Sequence, residues 1–238
     1  MANNDQPAVR MSSVTKCFLD VTANQDVSFS LYSGEICALL GENGAGKTTL
    51  MNILFGYYTC DEGEIFIRGK KADLSSPKDA ISRGVGMIHQ HFALVPSQTV
   101  LENIIVGAGS GIFLNLKSAR RELLGLQERF GLKIDPDARV WTLSVGEQQK
   151  VEILKALYRD VDILIMDEPT AVLAPAETVE LFNTLRSLVK EGRSVVFISH
   201  KLNEVMDISD RIVVLRSGQV VAERQTAETN AREPVSYT

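Results

Sequence analysis

The chain has 238 residues, of which 45% are hydrophobic and 23% are charged, and its formal net charge is -5 at pH 7. This composition indicates a soluble globular protein that can bury a large core, as one lobed domain or two small ones, and it disfavours a disordered or fibrous chain. General nucleic-acid binding is disfavoured as well, because phosphate contacts need clustered Lys and Arg and the sequence shows no such cluster.

Targeting and membrane-spanning patterns are also missing from the sequence. The first ten residues, MANNDQPAVR, lack a basic start followed by an apolar core, and the apolar runs at 162–166 and 195–198 are too short to cross a bilayer. We therefore expect a chain that is neither exported nor inserted. Its three widely spaced cysteines, Cys17, Cys37 and Cys60, are expected to be reduced thiols in a cytoplasm.

The first predicted elements are strands. Asp26 to Leu31 alternates apolar and polar residues as a half-buried strand does, and Glu35 to Leu40 is a buried strand that runs into glycine. GEIFIRG, at 63–69, adds a further strand. Strands of this kind favour a sheet with antiparallel members at its edge.

The middle of the chain, from about Thr99 to Arg159, is predicted to be helical. Thr99 to Glu102 fits a capping box, and a leucine-rich stretch that ends at Phe130 precedes Gly131. This segment predicts a helical insert in an α/β core. We expect a single domain over 1–238, with a helical subdomain at about 95–160 and a C-terminal tail at about 226–238.

The C-terminal part predicts a strand, helix, strand crossover followed by a hairpin. DILIMD at 162–167 and SVVFISH at 194–200 are short and almost wholly apolar, as central parallel strands are. Between them, Pro175 to Glu191 carries an apolar helical stripe and ends at Gly192. RIVVLRSGQVVAE is predicted to form a hairpin that turns at Ser217-Gly218.

The strongest chemical signal is GENGAGKT, from Gly41 to Thr48, directly after the second predicted strand. Its glycines let the backbone curl so that amide N–H groups converge on phosphate oxygens, and the helix that follows adds positive potential. Lys47 is predicted to bridge the outer phosphates, and the Thr48 hydroxyl to ligate Mg²⁺. A glycine-rich turn with a chance lysine is the weaker interpretation, because the match lies between a strand and a helix.

A pair of carboxylates completes this site. In ILIMDEPT, four apolar residues deliver Asp167 and Glu168 to the end of a strand, the usual ligand edge of a parallel sheet. Asp167 is predicted to hold magnesium through its water shell. Glu168, which Pro169 should restrict to extended conformations, is predicted to orient or deprotonate an attacking water. Alone, the pair would read equally well as a solvated acidic turn.

Three single residues have both a functional and a structural interpretation. Gln90 closes VGMIHQ and could ligate the magnesium ion, although a lone glutamine is more often a surface amide. His200 closes SVVFISH and could donate to a γ-phosphate oxygen, whereas a lone histidine at a strand end is usually structural, as we expect for His89 and His91. Phe18 could stack on an adenine ring, although most lone aromatics belong to a core.

LSVGEQQK, at Leu143 to Lys150, combines a hydroxyl, a glycine and a predicted helix start, which makes it look like a second phosphate site. Together the motifs closely resemble the ATP-binding subunits of ABC transporters, over nearly the whole chain. GENGAGKTT resembles the family's Walker A motif, Gln90 its Q-loop, LSVGEQQ its signature, ILIMDE its Walker B motif and His200 its H-loop. Phe18 stands where the family has its adenine-stacking aromatic.

The resemblance implies a P-loop NTPase core with an antiparallel β subdomain and a helical insert, and it implies ATP and Mg²⁺ as cofactors. Catalytic roles are implied for Glu168 and His200, and metal contacts for Thr48, Gln90 and Asp167. The implied ATP-binding residues are Phe18, Gly41, Glu42, Asn43, Gly44, Ala45, Gly46, Lys47, Thr48 and Thr49.

In this family two such domains pair head to tail, so that the signature of one closes over the ATP held by the other. The residues implied to act across the pair are Ser144, Gly146, Glu147 and Gln148. A helix that starts near Gly146 is expected to offer free amides and a positive dipole end to a γ-phosphate, with Ser144 as a hydroxyl donor. Val151, Ile153, Leu154 and Leu157 are expected to anchor that helix.

The sequences within and around these motifs resemble those of the importers of simple sugars and nucleosides. In that branch one polypeptide usually carries two ATPase domains. The chain resembles the N-terminal half of such a protein. It departs from most ABC proteins at Ala174, where an aspartate is common, which puts the route of communication between the two sites in doubt. It also has Val145 and Glu147 where many relatives have glycine and glutamine.

The resemblance therefore implies an ATPase that powers solute import through a separate membrane permease, at the inner face of the cell membrane. An extracytoplasmic solute-binding protein is implied indirectly. The alternative is a nucleotide switch, either a non-transport ABC protein or a half that binds ATP without turnover. DNA-repair relatives insert a long coiled coil between phosphate loop and signature, and here only 96 residues separate Lys47 from Ser144.

Overall fold

The computed structural model describes residues 6–107 and 115–229, and these contain ten strands and seven α-helices. The strands are β1 (Val9–Phe18), β2 (Val21–Leu31), β3 (Ile36–Leu40), β4 (Glu62–Ile67), β5 (Lys70–Lys71), β6 (Val85–Ile88), β7 (Ile163–Asp167), β8 (Ser194–Ser199), β9 (Arg211–Arg216) and β10 (Gln219–Gln225). The helices are α1 (Lys47–Leu54), α2 (Pro77–Ser82), α3 (Val100–Ile105), α4 (Leu116–Phe130), α5 (Val145–Tyr158), α6 (Pro175–Lys190) and α7 (Leu202–Ile208).

The strands form two sheets, as the predicted α/β core with an antiparallel subdomain requires. A six-stranded sheet has the order β10-β9-β3-β8-β7-β6; its strands are parallel except for β10, which pairs antiparallel with β9 at the edge. A separate antiparallel sheet has the order β2-β1-β4-β5. The predicted hairpin is confirmed, and both Ser217 and Gly218 at its turn have positive φ.

Strand β3 shows why the central strands are apolar throughout. Ile36, Ala38 and Leu40 point into a core shared with the helices α3 to α7, while Cys37 and Leu39 point into a second core shared with α1 and the antiparallel sheet. Side chains alternate along a strand, so a strand covered on both faces needs apolar residues at every position. The six-stranded sheet is therefore the middle layer of the molecule.

The predicted helical segment is confirmed as three α-helices that share the first core. α3 begins with the expected capping box: Glu102 N–H donates to Thr99 Oγ1 over 3.2 Å, and Thr99 N–H donates to Glu102 Oε2 over 2.7 Å. An isolated antiparallel bridge between Thr99 and Arg139 joins the start of α3 to the segment that links α4 to α5. The division into a core, a subdomain at 95–160 and a tail stays a prediction, and most of the tail lies outside the described residues.

A buried ion cluster fastens β9 to its neighbours. The Arg211 side chain is almost fully buried, and its guanidinium donates to Glu35 Oε1 over 2.6 Å, to Glu223 Oε1 over 2.7 Å and to the Ser30 carbonyl over 2.6 Å. It also lies 5.2 Å from the ring centroid of Tyr32. Arg211 therefore ties the parallel sheet to the end of β2.

Two further observations concern the sequence expectations. Within residues 6–107 and 115–229, no helix combines the length and the hydropathy needed to span a bilayer. Cys17, Cys37 and Cys60 are all free thiols, and burial raises the pKa of Cys37 well above its ordinary value.

Candidate nucleotide-binding site

A cavity of about 550 Å³ opens where the parallel strands β3, β6 and β7 end. It brings together most of the residues predicted from the phosphate loop and the carboxylate pair. Its lining is Val21, Thr22, Ala23, Asn43, Gly44, Gly46, Lys47, Thr48, Thr49, Gln90, Asp167, Glu168, Ser217 and Gly218. The carboxyl edge of a parallel sheet is the usual place for a ligand, so the position agrees with the sequence prediction.

The phosphate loop joins the end of β3 to the first residue of α1, which is Lys47. Gly46 precedes the helix with φ +97°, a conformation that favours glycine. A Cβ at this position would lie 2.4 Å from the Ala23 carbonyl oxygen and 2.7 Å from Asn24 Nδ2. Both the backbone angle and the space thus require glycine here, and the loop can lie directly against β2.

Strand β2 and the turn between β9 and β10 hold the loop in place. The buried Asn24 donates from Nδ2 to the Gly46 carbonyl over 3.2 Å. Gly218 N–H donates to the Ala45 carbonyl over 3.0 Å, and Gln25 N–H donates to the Gly218 carbonyl over 2.9 Å. Sequence reasoning predicted the hairpin turn but not its contact with the loop, and nothing in the sequence singled out Asn24.

Lys47 lies inside the curve of the loop. Its ammonium donates to the carbonyl oxygens of Gly41 and Glu42, each over 2.8 Å. Burial lowers the pKa of Lys47, and the carboxylates of Glu168 and Asp167 oppose that shift. The cation is therefore held within the loop and faces two carboxylates across the cavity.

Three oxygen-bearing side chains predicted as metal ligands meet at this cavity. Thr48 Oγ1 lies 3.4 Å from Asp167 Oδ1, and Gln90 lines the same space. Burial raises the pKa of Asp167, and the hydrogen bond from Thr48 opposes that shift. A hydroxyl, an amide oxygen and a carboxylate form a set of hard oxygen donors that suits Mg²⁺.

Glu168 does not adopt the extended backbone that Pro169 predicts. Its φ is +46°, so that prediction was wrong. The reason is tertiary: Glu168 N–H donates to the Ile198 carbonyl on β8 over 3.1 Å, and its carboxylate Oε1 lies 2.9 Å from His200 Nδ1. The two residues predicted to be catalytic are thus direct neighbours.

Phe18 is a surface residue at the end of β1. Its side chain is 38% exposed, its ring meets the edge of Tyr58 with centroids 5.0 Å apart, and Lys16 Nζ lies 5.5 Å from its centroid. A core role for Phe18 is therefore excluded. Tyr58, which sequence reasoning did not single out, fixes the orientation of this ring.

His89 agrees with its structural interpretation. The ring packs against Phe55 and Tyr57, with centroids 6.1 and 5.5 Å away, and burial lowers its pKa.

The signature segment has a different geometry from the phosphate loop. Ser144 is the N-cap of α5 and forms a capping box with Glu147: Glu147 N–H donates to Ser144 Oγ over 3.2 Å, and Ser144 N–H donates to Glu147 Oε2 over 2.8 Å. Gly146 N–H donates to Glu177 Oε1 over 3.2 Å. The prediction of free amides at this helix start is therefore wrong for Gly146 and Glu147, because the Glu177 carboxylate accepts from the first and the Ser144 hydroxyl from the second.

The rest of the signature helix is anchored as predicted. Val151, Ile153, Leu154 and Leu157 are all buried in the first core. Gln148 Nε2 donates to the Leu143 carbonyl over 3.1 Å. The buried Gln149, which sequence reasoning missed together with Glu177, donates from Nε2 to the Pro169 carbonyl over 3.0 Å.

The signature does not contribute to the cavity of its own chain. Within the described part of the chain, no residue from 144–148 lines the 550 Å³ cavity. Ser144 is exposed, and so is Trp141, three residues earlier, with 61% of its surface open and the Arg139 guanidinium 5.6 Å from its ring centroid. The structure thus places the predicted site residues in two groups.

Comparison with known proteins identifies the family. The family model described as "ABC transporter" matches residues 24–171. The chain belongs to the ABC transporter family. This match begins in β2, at the residue that contacts the phosphate loop, and ends just after Glu168, so it contains both the loop and the signature.

Curated relatives of this ABC chain are import proteins. It is 52% identical over 223 residues to the nucleoside import ATP-binding protein NupA of Lactococcus lactis subsp. cremoris, covering 93% of this chain and 44% of the relative. It is 46% identical over 255 residues to the glucose import ATP-binding protein TsgD13 of Haloferax volcanii, covering 94% of this chain and 46% of the relative. The chain therefore spans a little under half the length of these relatives.

Solved ABC cassettes share the fold. The dimeric structure of MJ0796, a bacterial ABC transporter cassette, matches with a TM-score of 0.79 and 27% identity, and the match covers 92% of this chain and 98% of that one. The predicted fold class is confirmed.

Proposed function

We propose that this cassette binds and hydrolyses ATP to power the import of a simple sugar or nucleoside through a partner membrane permease. The observation that carries the proposal is the cavity at the carboxyl edge of the parallel sheet, where the phosphate loop, three oxygen ligands and Glu168 converge. Family membership supports it, because a solved cassette shares this fold and therefore has the same carboxyl edge of the parallel sheet.

In this proposal the loop holds the triphosphate and Phe18 holds the base. The ATP-binding set is Phe18, Gly41, Glu42, Asn43, Gly44, Ala45, Gly46, Lys47, Thr48 and Thr49. On binding, Lys47 exchanges its two carbonyl acceptors for phosphate oxygens. The exchange is favourable because hydrogen bonds are stronger when the acceptor is ionised as well as the donor. The exposed ring of Phe18, held by Tyr58, offers a face on which adenine stacks.

Thr48, Gln90 and Asp167 would hold the Mg²⁺ that accompanies the nucleotide. When bound, the ion supplies positive charge to the phosphate oxygens at which negative charge develops. Asp167 is suited to this role because burial and the neighbouring Glu168 both raise its pKa, and a bound cation would offset them.

Glu168 is proposed as the general base and His200 as its neighbour at the γ-phosphate. A water oxygen attacks the γ-phosphorus, Glu168 accepts the water proton, and the bond to the β-phosphate oxygen breaks to leave ADP and phosphate. The 2.9 Å contact with His200 Nδ1 orients the carboxylate. This pair favours turnover over a switch that only binds nucleotide.

Pairing with a second cassette completes the site in this proposal. Ser144, Gly146, Glu147 and Gln148 act across the pair; this is supported by the fact that none of them lines the cavity of its own chain. The reported dimer of MJ0796 is a precedent for such pairing. Since the chain spans under half of its relatives, we propose that the second cassette lies on the same natural polypeptide.

The transport partners rest on the names of the relatives. One is named for nucleoside import and the other for glucose import, so the solute class stays as broad as simple sugars and nucleosides. We propose that the cassette is cytoplasmic and peripheral at the inner face of the cell membrane, on the permease. An extracytoplasmic solute-binding protein delivers the solute, and nucleic acid is no partner.

The decisive experiment is Glu168→Gln in the paired cassettes. We expect ATP affinity within about twofold of the parent, because the loop and metal ligands are intact, and turnover reduced by about 100-fold or more, because the base is lost. Glu64→Gln, at an exposed ion pair with Lys71 in the antiparallel sheet, is the matched control. Turnover of Glu168→Gln at the parental rate would refute the assignment, and a parent that binds ATP without turnover would establish the switch instead.

The pairing is tested with the chain alone. We expect a mainly monomeric, slow ATPase whose specific activity rises with protein concentration, because Ser144 acts only across a pair. Sedimentation and steady-state turnover measured on the same samples check this. Fast turnover by a monomer, independent of concentration, would contradict it.

A further inference from the structure

Glu177 joins two segments that are distant in sequence. It lies in the first turn of α6, and its carboxylate accepts one hydrogen bond on each oxygen: Gly146 N–H donates to Oε1 over 3.2 Å, and Ala174 N–H donates to Oε2 over 2.9 Å. Gly146 belongs to the signature, and Ala174 ends the loop that begins at Glu168. One side chain thus holds the signature and the catalytic loop together.

The contact between Gly146 on α5 and Glu177 on α6 is close. A Cβ on Gly146 would lie 2.5 Å from Glu177 Oε1 and 2.8 Å from its Cδ. Real Cβ atoms essentially never come so near, so a larger residue at 146 would displace the Glu177 carboxylate. Because each oxygen of that carboxylate holds one of the two segments, a shift of Gly146 is passed to Ala174 through this side chain.

A second hydrogen bond links the same two segments at the opposite end of the loop. Gln149 is 2% exposed, and its Nε2 donates to the Pro169 carbonyl over 3.0 Å. The loop from Glu168 to Ala174 is therefore attached to α5 near its first residue and at its last. Two attachments fix orientation as well as distance.

Ala174 is joined to α6 by one half of a capping box. It has the extended backbone of an N-cap residue, φ -69° and ψ 156°, but no side-chain oxygen to accept from the N–H groups of the first turn. Its own N–H donates to Glu177 Oε2, which is the other half of the box. At this helix start Glu177 therefore supplies the capping-box hydrogen bond that remains.

We propose that Glu177 is a positioning residue that couples the signature to the loop carrying Glu168. This inference rests on the proposed function, because it gives the coupling a role in turnover. When the start of α5 meets the nucleotide of a second cassette, its displacement reaches Ala174 through Glu177 and Pro169 through Gln149. Glu168, which is held between that loop, Ile198 and His200, is then set for hydrolysis.

The kinetic test compares Glu177→Ala with Glu180→Ala in paired cassettes. Glu180 lies one turn further along α6 and also contacts α5, through Lys150 over 2.7 Å, so it controls for a general loss of contact between the helices. For Glu177→Ala we expect kcat about tenfold lower with KM for ATP within about twofold. For Glu180→Ala we expect both constants within about twofold of the parent.

Three outcomes overturn the proposal: a parental kcat in Glu177→Ala, an equal loss in Glu180→Ala, or a loss that appears only as a higher KM. If Glu177→Ala does not fold, Glu177→Gln replaces it. Glutamine keeps the volume and one accepting oxygen, but its NH₂ cannot accept from the second amide. The expected loss is then smaller and still confined to kcat.

Hydrogen exchange tests the coupling without turnover, using Mg²⁺ and a non-hydrolysable ATP analogue on the single chain. In the parent we expect exchange to slow both in residues 168–175 and in residues 143–150, because the two segments are linked. In Glu177→Ala the first segment should still respond and the second should not. An undiminished response in 143–150 would overturn the coupling, whereas parental paired cassettes that bind ATP without hydrolysing it would count against the proposed function alone.

Discussion

The phosphate loop and the signature are both helix starts that carry a hydroxyl and a glycine, but the chain treats them in opposite ways. The loop lies in a cavity where Thr48, Asp167 and Glu168 from the same chain already surround it. The start of α5 does not line that cavity, and its Gly146 and Glu147 amides donate to the Glu177 carboxylate and the Ser144 hydroxyl. The phosphate loop belongs to a cavity lined by residues of its own chain, whereas the signature does not line that cavity.

This difference shows that a helix start is not by itself an anion site. Its orphan N–H groups attract any acceptor, and a carboxylate of the same chain satisfies them as well as a phosphate does. What distinguishes the loop is the convergence of β2, the hairpin turn and two carboxylates on it. The predictions below test whether the two regions are as independent as their surroundings indicate.

The largest effect is expected from Arg211→Met, which removes the buried cation beside the phosphate-loop strand. Glu35 then keeps its contact with Tyr32 N–H but loses its cation, and an uncompensated buried charge costs about 3–5 kcal/mol of unfolding free energy. Urea denaturation measures the loss, and Arg216→Met at the exposed end of β9 is the control. A loss below about 1 kcal/mol would show that the sheet carrying the phosphate loop does not depend on the ion pairs of Arg211.

Lys47→Ala should weaken ATP binding to the single chain by about 100-fold, because a charge-assisted contact to the phosphates is lost in a buried site. Calorimetric titration with Mg²⁺ present measures the affinity. Lys71→Ala, at an exposed lysine of the antiparallel sheet, should leave the affinity unchanged. Binding by Lys47→Ala at parental affinity would break the assignment of the cavity.

Ser144→Ala should lower stability and leave the ATP affinity of the single chain unchanged. Loss of the capping box is expected to cost about 1 kcal/mol of stability, while the affinity of the single chain for ATP stays within about twofold. Ser118→Ala, at an exposed serine in the first turn of α4 where Asn115 is the cap, is the matched control. Weaker ATP binding by the Ser144→Ala monomer would show that the signature serves its own cavity.

The smallest effect is expected from Ala174→Ser, which gives α6 the side-chain cap that it lacks. The extended backbone at 174 and the contact from Glu177 already match a capping box, so a serine should add about 0.5–1 kcal/mol and raise Tm by about 1–4 °C. Calorimetry compares it with Ala176→Ser, two residues further on, where a hydroxyl caps nothing. An unchanged or lower Tm would contradict the description of this helix start.

What sequence predicted well was written in contiguous residues. The β3 strand, the phosphate loop and the ILIMDE strand each have a local pattern, and the parallel sheet then brings their ends to one edge. The capping box at Thr99 was predicted for the same reason, because it spans only four residues; the box of the same spacing at Ser144 was not predicted.

What sequence did not predict lies between distant segments. The bond from Asn24 to Gly46 and the bond from Gly146 to Glu177 join single residues that follow no periodic pattern. At Glu168 a local rule gave the wrong backbone, because the hydrogen bond to Ile198 on the neighbouring strand outweighs the preference imposed by Pro169. Local preferences set the elements, and contacts across the fold then adjust the functional residues.

The exposed indole beside the signature has a practical consequence. Trp141 is the only tryptophan in the chain, so fluorescence excited at wavelengths that the five tyrosines do not absorb comes from this single surface. An indole that leaves water for a protein contact emits at shorter wavelength, and the unmodified chain therefore carries its own optical probe. Association of two cassettes can be followed in real time with no dye attached, at the place where it is proposed to occur.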